Sequence, residues 1–355
     1  MKRLLPAIIV LATIMVQAQT KQKVILDTDM VEIFDDGVAM MMLQLAPDIE
    51  LLGVTTVVGN SWVSEGTAWA LRQLEAVKAA DTVPVAMGVT CPLRPDRHAT
   101  MPLERQLFGV GHDHWAGSYG YPEPESWQAV YKKQYGIEPA VKPIEQHAVD
   151  FIIEQVKKNP GEITIAAIGP CSNLALAIRK APEIVPLVKR IIYMGGSFFR
   201  QGNTTPAAEF NWWSDPEAAK ITVRSPFKEQ IIVGLDACEK ITFKKHEYEK
   251  VRGLVKNPIV KKMLDTNVLV KLYGDNADYT HYIWDVIVAA IIMDETLITE
   301  EVTLPVDVCA DYGLSYGQSL AYIRQGPLGT QPARIVKNVD KERLWKLIYG
   351  YCEKF

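Results

Sequence analysis

The chain is short of the features that would place it in several broad classes. It has only 5 cysteines (Cys91, Cys171, Cys238, Cys309 and Cys352), an odd number without C-x-x-C pairing. They read as neither a disulfide framework nor a zinc site, and buried free thiols are expected. A cationic surplus is missing too: 38 Lys and Arg stand against 42 Asp and Glu, with no basic stripe to neutralise phosphates, which argues against nucleic acid as a partner. Beyond residue 18 no stretch is apolar and long enough to span a bilayer. No internal repeat or low-complexity segment occurs.

Residues 1 to 18 are different in kind. Lys2 and Arg3 precede the apolar stretch Leu4 to Val16, and Val16-Gln17-Ala18 is a small-residue cleavage pattern, which together predict a signal peptide and a mature chain from Gln19. Without Lys2 and Arg3 the balance is 36 basic against 42 acidic residues, a net charge of −6. An exported protein, periplasmic or secreted and with no stable membrane insertion after cleavage, is expected. At 48% hydrophobic composition, residues 19–355 can bury a large core and are read as one domain.

Apolar runs alternate with helical spacing along most of that length. Val24-Ile25-Leu26, Ile49 to Val58, Val83 to Met87, Ile163 to Ile168, Val188 to Met194 and Gln230 to Leu235 read as strands. Gly37 to Ala46, Ala148 to Lys158 and Ser172 to Lys180, the last capped by Ser172, read as helices, and Ser214-Asp215-Pro216-Glu217 opens another. The fold class expected is α/β, a mostly parallel open sheet with helices on both faces plus a helical C-terminal portion, since Lys244 to Asp294 looks helical throughout. A Gly, Pro, His and Trp-rich loop insertion at about 92–143 interrupts the alternation, and such segments are usually functional.

Chemistry concentrates in two places. Asp27-Thr28-Asp29-Met30-Val31-Glu32-Ile33-Phe34-Asp35-Asp36 puts four aspartates directly after the first strand. Ligands bind in open α/β sheets beyond the carboxyl ends of the strands, and repelling carboxylates there call for a hard cation; a solvated acidic loop is the plainer alternative. The second is Gly195-Gly196 followed by Asn203, Glu209 and Asn211. Amides and a carboxylate in one loop suit a sugar, whose hydroxyls both donate and accept, although an Asn/Gly turn before a capped helix would carry the same residues.

With both segments read, the chain resembles the inosine-uridine-preferring nucleoside hydrolase family over nearly its whole mature length. The resemblance rests on D-T-D…D-D, on T-T-V-V-G-N at Thr55 to Asn60, on G-P-x-S-N-L-A at Gly169 to Ala175, on M-G-G…G-N…A-E-F-N…D-P-E-A-A from Met194 to Ala219, and on Trp284-Asp285. It implies hydrolysis of the N-glycosidic bond of ribonucleosides at a tightly held calcium ion, Ca2+. Carried over by position, Asp29, Asp36 and Asp285 would ligate calcium together with the main-chain carbonyl of Ile168. Asp35 would accept from the ribose 2′-hydroxyl, and Asn60, Asn203, Glu209 and Asn211 would hold the other hydroxyls. Asp29 would be the general base for a calcium-activated water. Family members are often dimers or tetramers, so a homo-oligomer is implied as well.

Two departures from the family pattern stand out. Val31-Glu32-Ile33-Phe34 occupies a turn where longer relatives show glycine and polar residues, and a positive φ there would strain Val31. Trp284 stands where many members carry a His; an indole stacks on a purine but delivers no proton, so purine ribosides would be favoured. Trp115 would offer an opposing face, and His112 or His114 a donor. A transition-metal site on His98, His112 and His114 lacks a second cluster to complete it, and Trp212 and Trp213 read as packing beneath the sugar loop. Two other classes remain open. D-x-D-x-V at Asp27 to Val31 matches haloacid-dehalogenase-type phosphatases, with Asp27 as nucleophile; a calcium-dependent nucleoside or ribose binder without turnover would keep the same ligands.

Overall fold

The computed structural model describes residues 21–112 and 115–355. The signal-peptide expectation for residues 1–18, and His114, lie outside the described residues. In chain order the strands are β1 (Gln22–Thr28), β2 (Ile49–Thr56), β3 (Val85–Met87), β4 (Ile163–Ala167), β5 (Arg190–Met194), β6 (Gln230–Val233), the two-residue strands β7 (Thr242–Phe243) and β8 (His281–Tyr282), and β9 (Ile298–Val308), β10 (Ser319–Ala321) and β11 (Gln331–Val339).

Nine of them form one sheet in the order β10-β9-β11-β6-β5-β4-β1-β2-β3. From β3 to β11 every pairing is parallel, and only β9 pairs antiparallel, with both β11 and β10. The fold is α/β with a mostly parallel sheet between helices, as the alternation of apolar runs predicts. Each central strand is apolar on both faces, and the two-residue period deals its side chains to opposite cores. Val24 and Leu26 enter one buried cluster and Ile25 the other; Ile231 and Val233 separate from Ile232 in the same way.

The helix Asp285–Met293, buried from Asp285 to Ile292, packs against the helix Asp36–Leu45 on one side of the sheet. That contact brings the two ends of the candidate site together. The crossovers diverge between β1 and β4, and the crevice at such a switch point is where α/β sheets bind ligands.

Three expectations are corrected. Ser172 does not cap its helix: Cys171 holds that position, and the Ser172 hydroxyl donates to Asp215 Oδ2 at 2.6 Å. The stretch Lys244 to Asp294 is helical except for short links between helices and residues 276–284, which include β8; beyond it, β9 to β11 extend the sheet before the final helix Lys341–Cys352, with the cross-strand pairs Arg334–Glu301 and Lys337–Glu300. The segment at 92–143 holds the helices Arg97–Phe108 and Trp127–Tyr135 rather than a bare loop.

Candidate active site

Strand β1 delivers the first carboxylates. Asp27 turns inward, where Thr55 Oγ1 (2.6 Å) and Asn173 Nδ2 (2.8 Å) donate to Oδ1, and burial pushes its carboxyl up to about 6. Asp29 is fully buried; the Asn60 N–H donates to Oδ2 at 2.6 Å, and Oδ1 has no partner. Glycine makes room for it. A Cβ on Gly59 would lie 2.2 Å from Asp29 Oδ2, and one on Gly169 would lie 2.6 Å from the Asp29 nitrogen.

Asp35 and Asp36 begin the helix that follows. The Thr28 hydroxyl donates to Asp36 Oδ1. Asp35 reaches across to the start of the helix Asp285–Met293, accepting from the N–H groups of Trp284 (2.8 Å) and Val286 (3.1 Å). A carboxylate is favoured there by unpaired amides and the helix dipole, and this tie joins residues 249 positions apart. Asp285 opens that helix with its Oδ1 buried and unpartnered. Burial raises the pKa of Asp29, Asp35, Asp36 and Asp285 alike; repulsion from Asp36 adds to it at Asp29 and Asp35, and repulsion from Asp35, Asp36 and Asp29 adds to it at Asp285.

The sugar loop after β5 is built on backbone capping. Glu209 caps the helix Phe210–Ser214 and accepts from the N–H groups of Asn211 (2.7 Å), Gly196 (2.8 Å) and Trp212 (3.1 Å), while burial holds its carboxyl up at about 7. Asn203 Oδ1 accepts from the Phe210 N–H at 3.0 Å. Asn211 Nδ2 donates to the carbonyls of Ile168 and Met194, both at 3.1 Å, and its buried Oδ1 is unpartnered. Trp212 and Trp213 are fully buried, in keeping with packing beneath this loop.

A cavity of about 400 Å³ opens over these groups. Asp35, Asp36, Asp285, Asn203, Glu209 and Asn211 line it, together with Asn60, Trp115 and Trp284; Asp29 and Ile168 are not among its lining residues. Among the described residues no three His, Cys, Asp or Glu side chains are closed into a metal shell. Even so, the Asp36 charge raises the pKa of Asp29, the charges of Asp29 and Asp36 raise that of Asp285, and Asp29 and Asp285 each keep a buried oxygen without a partner. Such oxygens are costly unless paired. The all-oxygen donor set therefore fits a hard divalent cation with irregular coordination.

Residues 24–346 match the family described as inosine-uridine preferring nucleoside hydrolase. The chain belongs to this nucleoside hydrolase family. The reaction for which that enzyme family is named is hydrolysis of the N-glycosidic bond of nucleosides. The chain is similar to the inosine-uridine preferring nucleoside hydrolase of Crithidia fasciculata, at 31% identity over 94% of this chain and 98% of that protein. It is also similar to a rice (Oryza sativa subsp. japonica) protein named probable uridine nucleosidase 2, at 35% identity over 66% of this chain, spanning only 62% of the rice protein's length. Among solved structures, the purine-preferring ribonucleoside hydrolase from Gardnerella vaginalis superposes with a TM-score of 0.73 at 26% identity, covering 94% of this chain and 100% of that one.

Family membership removes the phosphatase alternative, and the burial of Asp27 against Thr55 and Asn173 gives the physical reason. His112 is not brought to the cavity: it pairs with Glu239 at 2.9 Å, and His98 stacks on Trp62, so the two do not form a metal cluster. Trp115 sits at the rim, 51% exposed, and its indole N–H donates to Asn60 Oδ1 at 2.6 Å. The turn after Met30 forms without a positive φ at Val31; among the described non-glycine residues only Lys78 and Asp96 adopt one. Sequence reasoning missed His281. This residue of β8 lines the cavity, meets the Trp284 ring edge-on at 5.1 Å, and is held by burial at a pKa of about 4. The aromatic run Tyr279-Thr280-His281-Tyr282 just before Trp284-Asp285 was the available signal.

Proposed function

We propose that this chain is a nucleoside N-ribohydrolase that holds calcium with Asp29, Asp36, Asp285 and the carbonyl of Ile168, and that it favours purine ribosides. The observation that carries this reading is the pair of buried, unpartnered carboxylate oxygens, Asp29 Oδ1 and Asp285 Oδ1, with Asp285 lining the same cavity as a sugar-compatible set of amides and carboxylates. When bound, calcium supplies the charge that keeps these carboxylates ionised and makes a water more acidic. Asp29 takes the proton from the attacking water through Oδ1, while the Asn60 N–H on Oδ2 fixes its orientation. Asp35, Asn60, Asn203, Glu209 and Asn211 hold the ribose hydroxyls, with Asn211 Oδ1 an acceptor still in need of a donor. As the glycosidic bond breaks, the sugar gains oxocarbenium character, which the surrounding carboxylates stabilise more than the neutral ground state.

On the leaving-group side Trp284 offers a face for a purine, and Trp115 a second at the rim. The neutral His281 beside Trp284 can hydrogen-bond a base nitrogen, which indole cannot do as an acceptor. We further propose export through residues 1–18 to the periplasm or the exterior, a single domain over residues 19–355, and a homo-oligomeric state. The deciding experiment is release of base and ribose from purine and pyrimidine ribonucleosides and nicotinamide riboside, with calcium and with chelator, on the parent and Asp29→Ala. Calcium-dependent turnover that disappears in Asp29→Ala is expected, with purines ahead of pyrimidines. Riboside binding without base release would replace the hydrolase by a binder.

A further inference from the structure

Beyond the carboxylates the cavity changes character. The turn Val31-Glu32-Ile33-Phe34 lines it, and so do Val268, Leu269 and Leu272 of the helix Val268–Asp275. Apart from Glu32 these side chains are aliphatic or aromatic, and Asn267, Tyr279, Thr280 and Tyr282 share the lining with them. The wall is held in place from several directions. Asn267 donates from Nδ2 to the Ile33 carbonyl and accepts from the Leu269 N–H at 2.9 Å, tying turn to helix. Glu32 accepts from Gln134 Nε2 and the Tyr135 hydroxyl, both at 2.7 Å, and the Ile33 N–H donates to Gln73 Oε1 at 3.3 Å.

A bare nucleobase has little use for such a wall, because its polar ring edge would leave water without gaining partners there. An apolar substituent on the base would lose nothing and would be buried. Resting on the ribohydrolase reading above, we infer that the preferred substrates are purine ribosides carrying an apolar group on the base, accepted in the lobe between the Val31–Phe34 turn and Leu269 and Leu272. Because the lobe is already braced, the substituent gains contact without the cost of ordering a loop.

The test compares kcat/KM of the calcium-loaded full chain for adenosine and for adenosines bearing methyl, butyl or benzyl groups on the exocyclic amine. A rising series, with the benzyl compound roughly tenfold or more ahead of adenosine, is expected. In Leu272→Gln, and in Val268→Asp at a 63% exposed position that leaves folding intact, the benzyl-to-adenosine ratio should fall about tenfold. A flat or falling series in the parent overturns the inference, as does a ratio unmoved by both variants. Should no riboside be cleaved, the hydrolase reading is the one that fails, and calorimetry still decides the lobe: tighter binding of the benzyl compound than of adenosine supports it, and equal or weaker binding overturns it.

Discussion

The two halves of the cavity are built on opposite principles. In the polar half, carboxylates and amides are fixed mainly by backbone groups: Glu209 by three N–H donors, Asp35 by the first amides of the helix Asp285–Met293, and Asp29 by the Asn60 N–H. In the apolar half, side chains make the surface and side-chain hydrogen bonds from Asn267, Gln134 and Tyr135 brace it. The first arrangement holds charge in low dielectric, where every misplacement is expensive. The second holds shape, where changes alter selectivity more than rate. One half is suited to the bond being broken and the other to what leaves.

Predictions that strain this contrast run from large to small. Asp29→Ala or Asp285→Ala is expected to lower kcat/KM by about 10³-fold or more and to weaken calcium binding measured by calorimetry; a loss under tenfold would remove the polar half from the chemistry. Gly59→Ala, which places a Cβ against Asp29 Oδ2, should cost about 100-fold in kcat with stability lowered by only about 1–3 kcal/mol, readable from denaturant melts. Saturating calcium at about 100 times its Kd should add about 3 kcal/mol to stability in the parent, an increment absent in Asp285→Ala.

The side of the cavity at His281 and Trp284 is tested by pH dependence and by selectivity rather than by loss of turnover. The His281 pKa lies near 4 in the fold against 6.5 in its absence, so the unfolded chain binds the extra proton between those values. Its contribution to stability is complete above pH 6.5 and is lost as pH falls toward 4, by roughly 3 kcal/mol in all. His281→Phe should flatten that part of the pH profile in thermal melts. Trp284→Ala should reduce the purine-to-pyrimidine ratio of kcat/KM by about fivefold, equivalent to ~1 kcal/mol of lost stacking; an unchanged ratio would place base preference elsewhere.

Legibility followed the same division. Strands β1 to β6 were readable because a doubly covered parallel strand is written as an uninterrupted apolar run, and the motif residues stand within a few positions of those strand ends. The hairpin of β9 and β11 escaped because half-exposed strands carry charges such as Glu300, Glu301 and Lys337 among β-branched residues. Ser172 was misread as a cap because nothing local reveals that Asp215 claims its hydroxyl. His112 looked suited to the site by its loop context, yet the fold gives it to Glu239.

By itself the sequence determined the α/β alternation, the family, and the chemical identity of the polar half, because those depend on short-range period and on residues clustered at strand ends. Only the tertiary structure decided which oxygens lack partners, that Asp35 is tied to a helix 249 positions away, and that His281 and the Val31–Phe34 turn share one cavity. The physical reason is that burial, charge and enclosure belong to groups brought together across the chain, and no local pattern encodes the distance between them.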